Sequence, residues 1–208
     1  MIDQVTLLTY LAVLLGFVLI PGPAVLLTVA RASASGIRAG LATGLGIALG
    51  DIAHTAFAVI GLSAVIQTSA LAFAMVKYAG AAYLVWLGIR AILDHRPLSI
   101  GTGGPPLSAG RAFRQATLAE ILNPKSALFF LAFLPQFVRP ENGPVALQLT
   151  ILGLLFVAMG LLSTVLFAFA AGQVGGFLRR NPVVARWQGR VTGAIFCGLG
   201  VRLALQER

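Results

Sequence analysis

The feature that most constrains this chain is an apolar run over residues 4–30 that is interrupted in its middle by Pro21-Gly22-Pro23. Two prolines remove two backbone donors and clash with the preceding turn, and the glycine between them loosens the backbone, so one continuous helix cannot pass through. The run is nevertheless about as long as a bilayer is thick, which takes roughly 20 apolar residues. Backbone groups left open at membrane depth are tolerated only where they are buried in protein or line a water-filled cavity. The interruption is therefore a candidate binding site, and the competing explanation is a proline kink whose backbone groups are met by neighbouring helices.

Composition agrees with a membrane setting. Of 208 residues, 58% are hydrophobic and 10% charged, with a mean hydropathy of +0.93, which is far from an ordinary soluble domain. The net charge of +9 does not point to nucleic acid, because the basic residues sit in short connections between apolar runs and read as topology signals. No Lys or Arg precedes the first apolar stretch, so it lacks the basic region of a cleavable signal peptide and is expected to stay in the mature protein. The lone Cys197 cannot form an intrachain disulfide and reads as a small packing residue.

Apolar runs fall at 4–30, 40–65, 70–93, 113–138, 145–172 and 185–206. The expected fold is all-α, with six transmembrane helices in a single membrane domain over 1–208. A Gly/Pro/Ser-rich linker at about 96–110 separates a first half, about 1–95, from a second, about 111–208. Ten arginines (31, 38, 90, 96, 111, 114, 179, 180, 186, 190) flank the first, third and fifth connections, against three (139, 202, 208) on the other side. That places those three connections in the cytoplasm and both termini outside. The halves echo one another: Leu87-Gly88-Ile89-Arg90 closes the third run, Leu199-Gly200-Val201-Arg202 the sixth, and the fourth is interrupted at Asn123-Pro124-Lys125 as the first is at Pro21–Pro23. Halves of three spans each must face opposite ways, the inverted-repeat plan of many secondary transporters, here with helices 1 and 4 broken near the midplane.

Counting at 1.5 Å per residue from the basic connections puts Pro21–Pro23, Asp51, Lys77 and Asn123–Lys125 roughly 14 to 20 Å into a layer about 30 Å thick. A charge there costs about 2.5–3.5 kcal/mol on insertion scales and needs a partner or a cavity. Asp51 is too short to reach an interface, and His54 and Thr55 share its helical face. It would carry a proton, bind a substrate amine, or pair with Lys77; Lys77 could instead snorkel, and Glu120 could reach the cytoplasmic interface. His54 is a candidate proton carrier or a packing residue. Two distant histidines and one cysteine make no metal site. Gly36, Gly40 and Gly44, at i, i+4 and i+8, form a face for close helix packing; the alternative is a homodimer face. Trp86, Tyr78, Tyr83, Phe129, Phe130 and Phe133 line a pathway or simply pack.

Several stretches resemble the LysE/RhtB family of bacterial amino-acid exporters over nearly the whole chain. They are Pro21-Gly22-Pro23; Gly36-Ile37-Arg38-Ala39-Gly40-Leu41 leading to Gly46 and Gly50-Asp51; Lys77-Tyr78-Ala79-Gly80-Ala81-Ala82-Tyr83-Leu84 with Leu87-Gly88; and Leu122-Asn123-Pro124-Lys125-Ser126-Ala127-Leu128-Phe129-Phe130 with Leu134-Pro135-Gln136-Phe137. Each is weak alone; their combination in this order is specific. The resemblance implies a multi-pass protein of the cytoplasmic membrane that exports amino acids or close derivatives, driven by protons, without a cofactor.

On that reading the substrate site comprises Pro21, Gly22, Pro23, Asp51, Asn123, Pro124 and Lys125, with Asp51, Lys77, Glu120 and His54 as the coupling or charge-paired groups. Half-helix ends would present N–H groups to a carboxylate and carbonyls to an ammonium, which suits a zwitterion. An exporter of a metal or other small ion is the alternative, although the polar segment from Asp94 to Arg111 holds only His95 and no acidic cluster. An intramembrane enzyme fits less well: Ala48-Leu49-Gly50-Asp51 lacks the Gly-x-Gly-Asp of an aspartyl protease, and His54 has no serine partner motif.

Overall fold

In the computed structural model of the protein, residues 2–19, 23–68, 70–93, 106–171, 173 and 182–205 are described. They are all-helical, with no strand among them. The helices are α1 (Gln4–Leu19), α2 (Pro23–Ser35), α3 (Ile37–Thr68), α4 (Ala70–Leu93), α5 (Ala109–Ile121), α6 (Pro124–Phe133), α7 (Val145–Phe169) and α8 (Pro182–Leu205), with 3₁₀ turns at Leu134–Phe137 and Pro140–Asn142. By length and composition, Ile37–Gly61 and Val145–Phe169 are the clearest membrane-capable segments.

The starts and stops have local causes. Asp3 caps α1 by accepting the Thr6 N–H at 2.8 Å and the Thr6 hydroxyl at 2.7 Å. Gly36 lets α2 turn directly into α3 because it sits at φ 84°, a left-handed conformation that a β-carbon disfavours. α5 ends at Ile121 and α6 opens on Pro124, a residue suited to the first helical turn because its missing N–H would have no partner there. Pro23 opens α2 in the same way, while Ile20, Pro21 and Gly22 lie outside the described residues.

α3 is the central helix. It runs parallel to α5, with Gly46 against Phe113 and Ala116 and Gly50 against Glu120, and antiparallel to α7, with Gly44 against Thr164 and Thr55 against Gly153. Gly40 takes the Ala32 methyl of α2. Of the expected glycine face, Gly40 and Gly44 therefore pack inside this chain, against two different helices, while Gly36 meets nothing within 4 Å and serves the turn. α4 lies along α8, antiparallel, with Gly88 against Gly193 and Cys197 and Gly200 against Ala81 and Val85. Cys197 is the packing residue the sequence implies, filling the notch at Gly88.

Besides its apolar core, the molecule encloses polar side chains while large apolar ones face outward. Buried positions include Thr28, Thr43, Asp51, His54, Thr55, Gln148, Ser163 and Thr164, whereas Leu45, Leu49, Ile52, Phe57 and Ile60 on α3 and Leu154, Leu162, Leu166 and Phe169 on α7 are exposed. Phe57 is 60% exposed and Phe169 70%. A helix whose apolar side faces outward and whose polar side faces its neighbours suits a hydrocarbon surround. Polar connections gather at two ends. At one, the Arg31 guanidinium donates to Gln115 at 3.4 Å and the Leu107 N–H to the Ser35 hydroxyl at 3.0 Å. At the other, Asn142 donates to Asp3 at 3.4 Å, and Gln148 clamps the turn through Arg139 N–H (3.0 Å), Arg139 C=O (2.8 Å) and Gly143 C=O (3.0 Å).

Candidate functional site

The site assembles on α3, where two stripes diverge. Gly46, Gly50 and His54 (i, i+4, i+8) face α5; Gly44, Asp51 and Thr55 (i, i+7, i+11) face α7. Small residues on both stripes bring the three backbones close enough for the polar side chains between them to be enclosed. Asp51 is 6% exposed and His54 3%.

Although His54 and Thr55 share a face with Asp51, neither serves its carboxylate. The Thr55 hydroxyl donates to the Asp51 backbone carbonyl at 2.8 Å. His54 Nε2 lies 2.7 Å from the Glu120 backbone carbonyl; since that oxygen can only accept, Nε2 carries the proton. The same carbonyl accepts the Asn123 N–H at 3.0 Å, so His54 ties α3 to the junction between α5 and α6. This link connects two halves of the chain far apart in sequence, and only the weak signal of a histidine following an aspartate by three residues could have hinted at it. The ring of His54 also packs at 5.8 Å from that of Phe130.

Among the described residues, no hydrogen bond or ion pair reaches the Asp51 carboxylate. Among the described residues, no ion pair joins Asp51 to Lys77, which their similar depths had suggested: the Lys77 ammonium lies 5.0 Å from the Tyr78 ring, and α4 packs mainly along α8 rather than α3. The carboxylate-bearing side chain packed beside Asp51's neighbour is Glu120, whose Cβ and Cγ press against Gly50. Equal depth on neighbouring helices does not imply contact, because each helix shows only one side to its neighbour. Glu120 is half-buried in the last turn of α5, turned toward α3. Asn123 donates to the Ser126 hydroxyl at 2.9 Å. Pro21 and Gly22, and the side chains of Pro23, Pro124 and Lys125, lie outside the described residues, so their placement around Asp51 is not described.

A family profile, that of the LysE type translocators, matches residues 15–207. The chain belongs to this family. A Vibrio cholerae relative described as an uncharacterized membrane protein is 34% identical over 199 residues, 95% of each chain. A homoserine/homoserine lactone efflux protein of Salmonella typhi is 33% identical over 174 residues, 84% of this chain and 80% of that one. A leucine efflux protein of Klebsiella pneumoniae is 26% identical over 200 residues, 95% of this chain and 93% of that one. No solved structure matches. The family is one of membrane transporters, and the exposed apolar faces of α3 and α7 agree with it.

Two further features of this LysE type translocator escaped the sequence reading. Tyr10 is fully buried, its hydroxyl donating to the Leu152 carbonyl at 2.7 Å and its ring packed on Phe133 and Phe137. Its signal was a lone hydroxylated aromatic in an aliphatic run. Of the aromatic residues considered for a pathway, Phe130 and Phe133 belong to this core, whereas Trp86 and Tyr78 are exposed and Arg90 lies 4.9 Å over the Trp86 ring. Arg139 and Arg202, counted on one side by charge, line one open groove of about 590 Å³ with Gly198, Val201 and Leu205.

Proposed function

We propose that this translocator exports amino acids or close derivatives across the cytoplasmic membrane in exchange for protons, as a multi-pass protein of six spans arranged in two inverted halves. The observation that carries the reading is Asp51: a carboxylate enclosed between three helices, without a described partner, in a molecule whose outer surface is apolar. Retaining such a group costs about 2.5–3.5 kcal/mol on insertion scales, so it is kept for what it binds or carries. The Salmonella and Klebsiella relatives, named for homoserine/homoserine lactone efflux and for leucine efflux, suggest the substrate class.

The six-span plan draws support from helix directions. α3 and α5 are parallel while α7 runs against them, and α8 runs against α4, as alternating crossings require. In this reading the two junctions, 21–23 and 123–125, face a common site to which Gly22, the Asn123 amide and Lys125 contribute, Lys125 attracting the substrate carboxylate. Asp51 holds the ammonium group or the exchanged proton, with the Glu120 side chain packed on the adjacent Gly50. In this reading Lys77, on α4, takes no part in the site.

The test is transport into reconstituted vesicles made acidic inside, with radiolabelled leucine and homoserine as probes. Wild type should accumulate at least one of them, and Asp51→Asn should abolish gradient-driven accumulation while sparing exchange of labelled for unlabelled substrate. Undiminished accumulation by Asp51→Asn would refute the assignment.

A further inference from the structure

The two antiparallel helix crossings, α3 with α7 and α4 with α8, are each reciprocal. On the first, Gly44 receives Thr164 and Gly153 receives Thr55. The two glycines are 109 positions apart (153 less 44), and so are the two threonines (164 less 55). On the second, Gly88 receives Gly193 and Cys197, and Gly200 receives Ala81 and Val85. A shift of 112 (200 less 88) carries Gly88 to Gly200, Ala81 to Gly193 and Val85 to Cys197, and the same shift carries Ala70–Leu93 onto Pro182–Leu205. Contacts in which i meets j while the equivalent of i meets the equivalent of j are the signature of a two-fold axis.

On the first crossing the shift of 109 takes Asp51 to Gly160. Asp51 Oδ2 lies 3.9 Å from where a Gly160 β-carbon would stand, and no other described neighbour comes within 4 Å of that point. The carboxylate is thus aimed at the open side of its own equivalent position. We propose that a pseudo-two-fold axis relating the two halves passes between Asp51 and Gly160, and that Gly160 forms the opposite wall of the Asp51 site, keeping open the space in which a cationic group of the substrate meets the carboxylate.

The residue types follow from the geometry. Side chains at equivalent positions beside an axis point at the same volume, so two carboxylates would repel and two glycines would leave no charge. One of each gives a single charge with room beside it. α7 contributes no ionisable residue here, α5 contributes Glu120, and α3 itself contributes His54, already bonded to the Glu120 carbonyl. Near the axis, a carboxylate is about equally distant from both halves, so it can serve from either. The cationic-substrate part of this proposal rests on the amino-acid reading above; the axis does not.

The experiment has two arms on the full chain. In a Cys197→Ser background, Asp51→Cys with Gly160→Cys should be joined by a short bifunctional thiol reagent, and Leu49→Cys with Gly160→Cys should not, since Leu49 is on the outer face. Absence of the first cross-link refutes the shared position whatever the substrate. In the vesicle assay, Asp51→Gly should be inert, and adding Gly160→Asp should restore at least a third of wild-type accumulation. Gly160→Ala should raise the half-saturating concentration severalfold, while Gly160→Leu should abolish transport in protein that still inserts. If the pair cross-links and wild type transports, but the exchanged double variant inserts and stays as inert as Asp51→Gly, the shared role is overturned. A cross-link with no transport of either probe by wild type would instead count against the amino-acid reading alone.

Discussion

Replacing Gly50 with Ala tests whether the close approach of α3 and α5 is what encloses the site. The added β-carbon would stand 2.5 Å from Glu120 Cβ, 2.7 Å from Glu120 Cγ and 3.3 Å from the Ile121 backbone nitrogen. Ordinary carbon contacts lie at about 3.5–4.0 Å, so α5 would have to retreat by roughly 1 Å, straining the His54 bond to the Glu120 carbonyl. Overpacking of this kind costs about 1–3 kcal/mol. Ala also favours helix over Gly by about 0.8–1.0 kcal/mol, which would mask part of the loss. Gly61→Ala supplies the correction: it lies on the same helix with nothing within 4 Å of its β-carbon. The propensity gain is common to both variants, so their difference isolates the steric cost. At about 2–4 °C per kcal/mol for a chain of this size, Gly50→Ala should melt about 2–12 °C below Gly61→Ala, read by the loss of monodisperse protein on heating in detergent. Equal melting of the two would show that α3 and α5 are not held at this separation.

Two other expectations concern the ends of the molecule. Because residue 107 is bonded to Ser35, the linker is expected at the same end as the first connection, on the cytoplasmic side. Ser99→Cys in a Cys197→Ser background should resist a membrane-impermeant maleimide in intact cells and react once the membrane is opened; rapid labelling of intact cells would invert the orientation. At the other end, the Thr6 N–H, then the Thr6 hydroxyl, and more weakly the Arg139 charge hold the Asp3 carboxyl below its ordinary value of 3.8. With the folded value depressed, the stability this cap contributes is present above the unfolded value and is lost as pH falls through the folded one. Thr6→Val should move the Asp3 titration upward, followed by carboxyl-carbon NMR in detergent; an unmoved titration would mean the hydroxyl does not act on it.

The sequence by itself determined the elements. Apolar runs long enough to cross a bilayer, proline at the openings of α2 and α6, and glycine between α2 and α3 act locally, through the loss of backbone donors and the freedom of a residue without a β-carbon. It also singled out Asp51, because a carboxylate in an apolar run is costly wherever its helix packs. Family membership was legible too, since it rests on short motifs in order. What surrounds Asp51 was not legible. Depth counting put Lys77 beside it, but whether two residues at one depth meet depends on which faces their helices turn to one another. The glycines of α3 settle this by admitting α5 and α7, leaving α4 to α8. His54 reaching a carbonyl 66 residues away, and Gly160 standing where Asp51 points, are likewise products of packing. A glycine without a motif carries no signal in sequence, since what it does is admit a neighbour, and only the tertiary structure decides which neighbour that is.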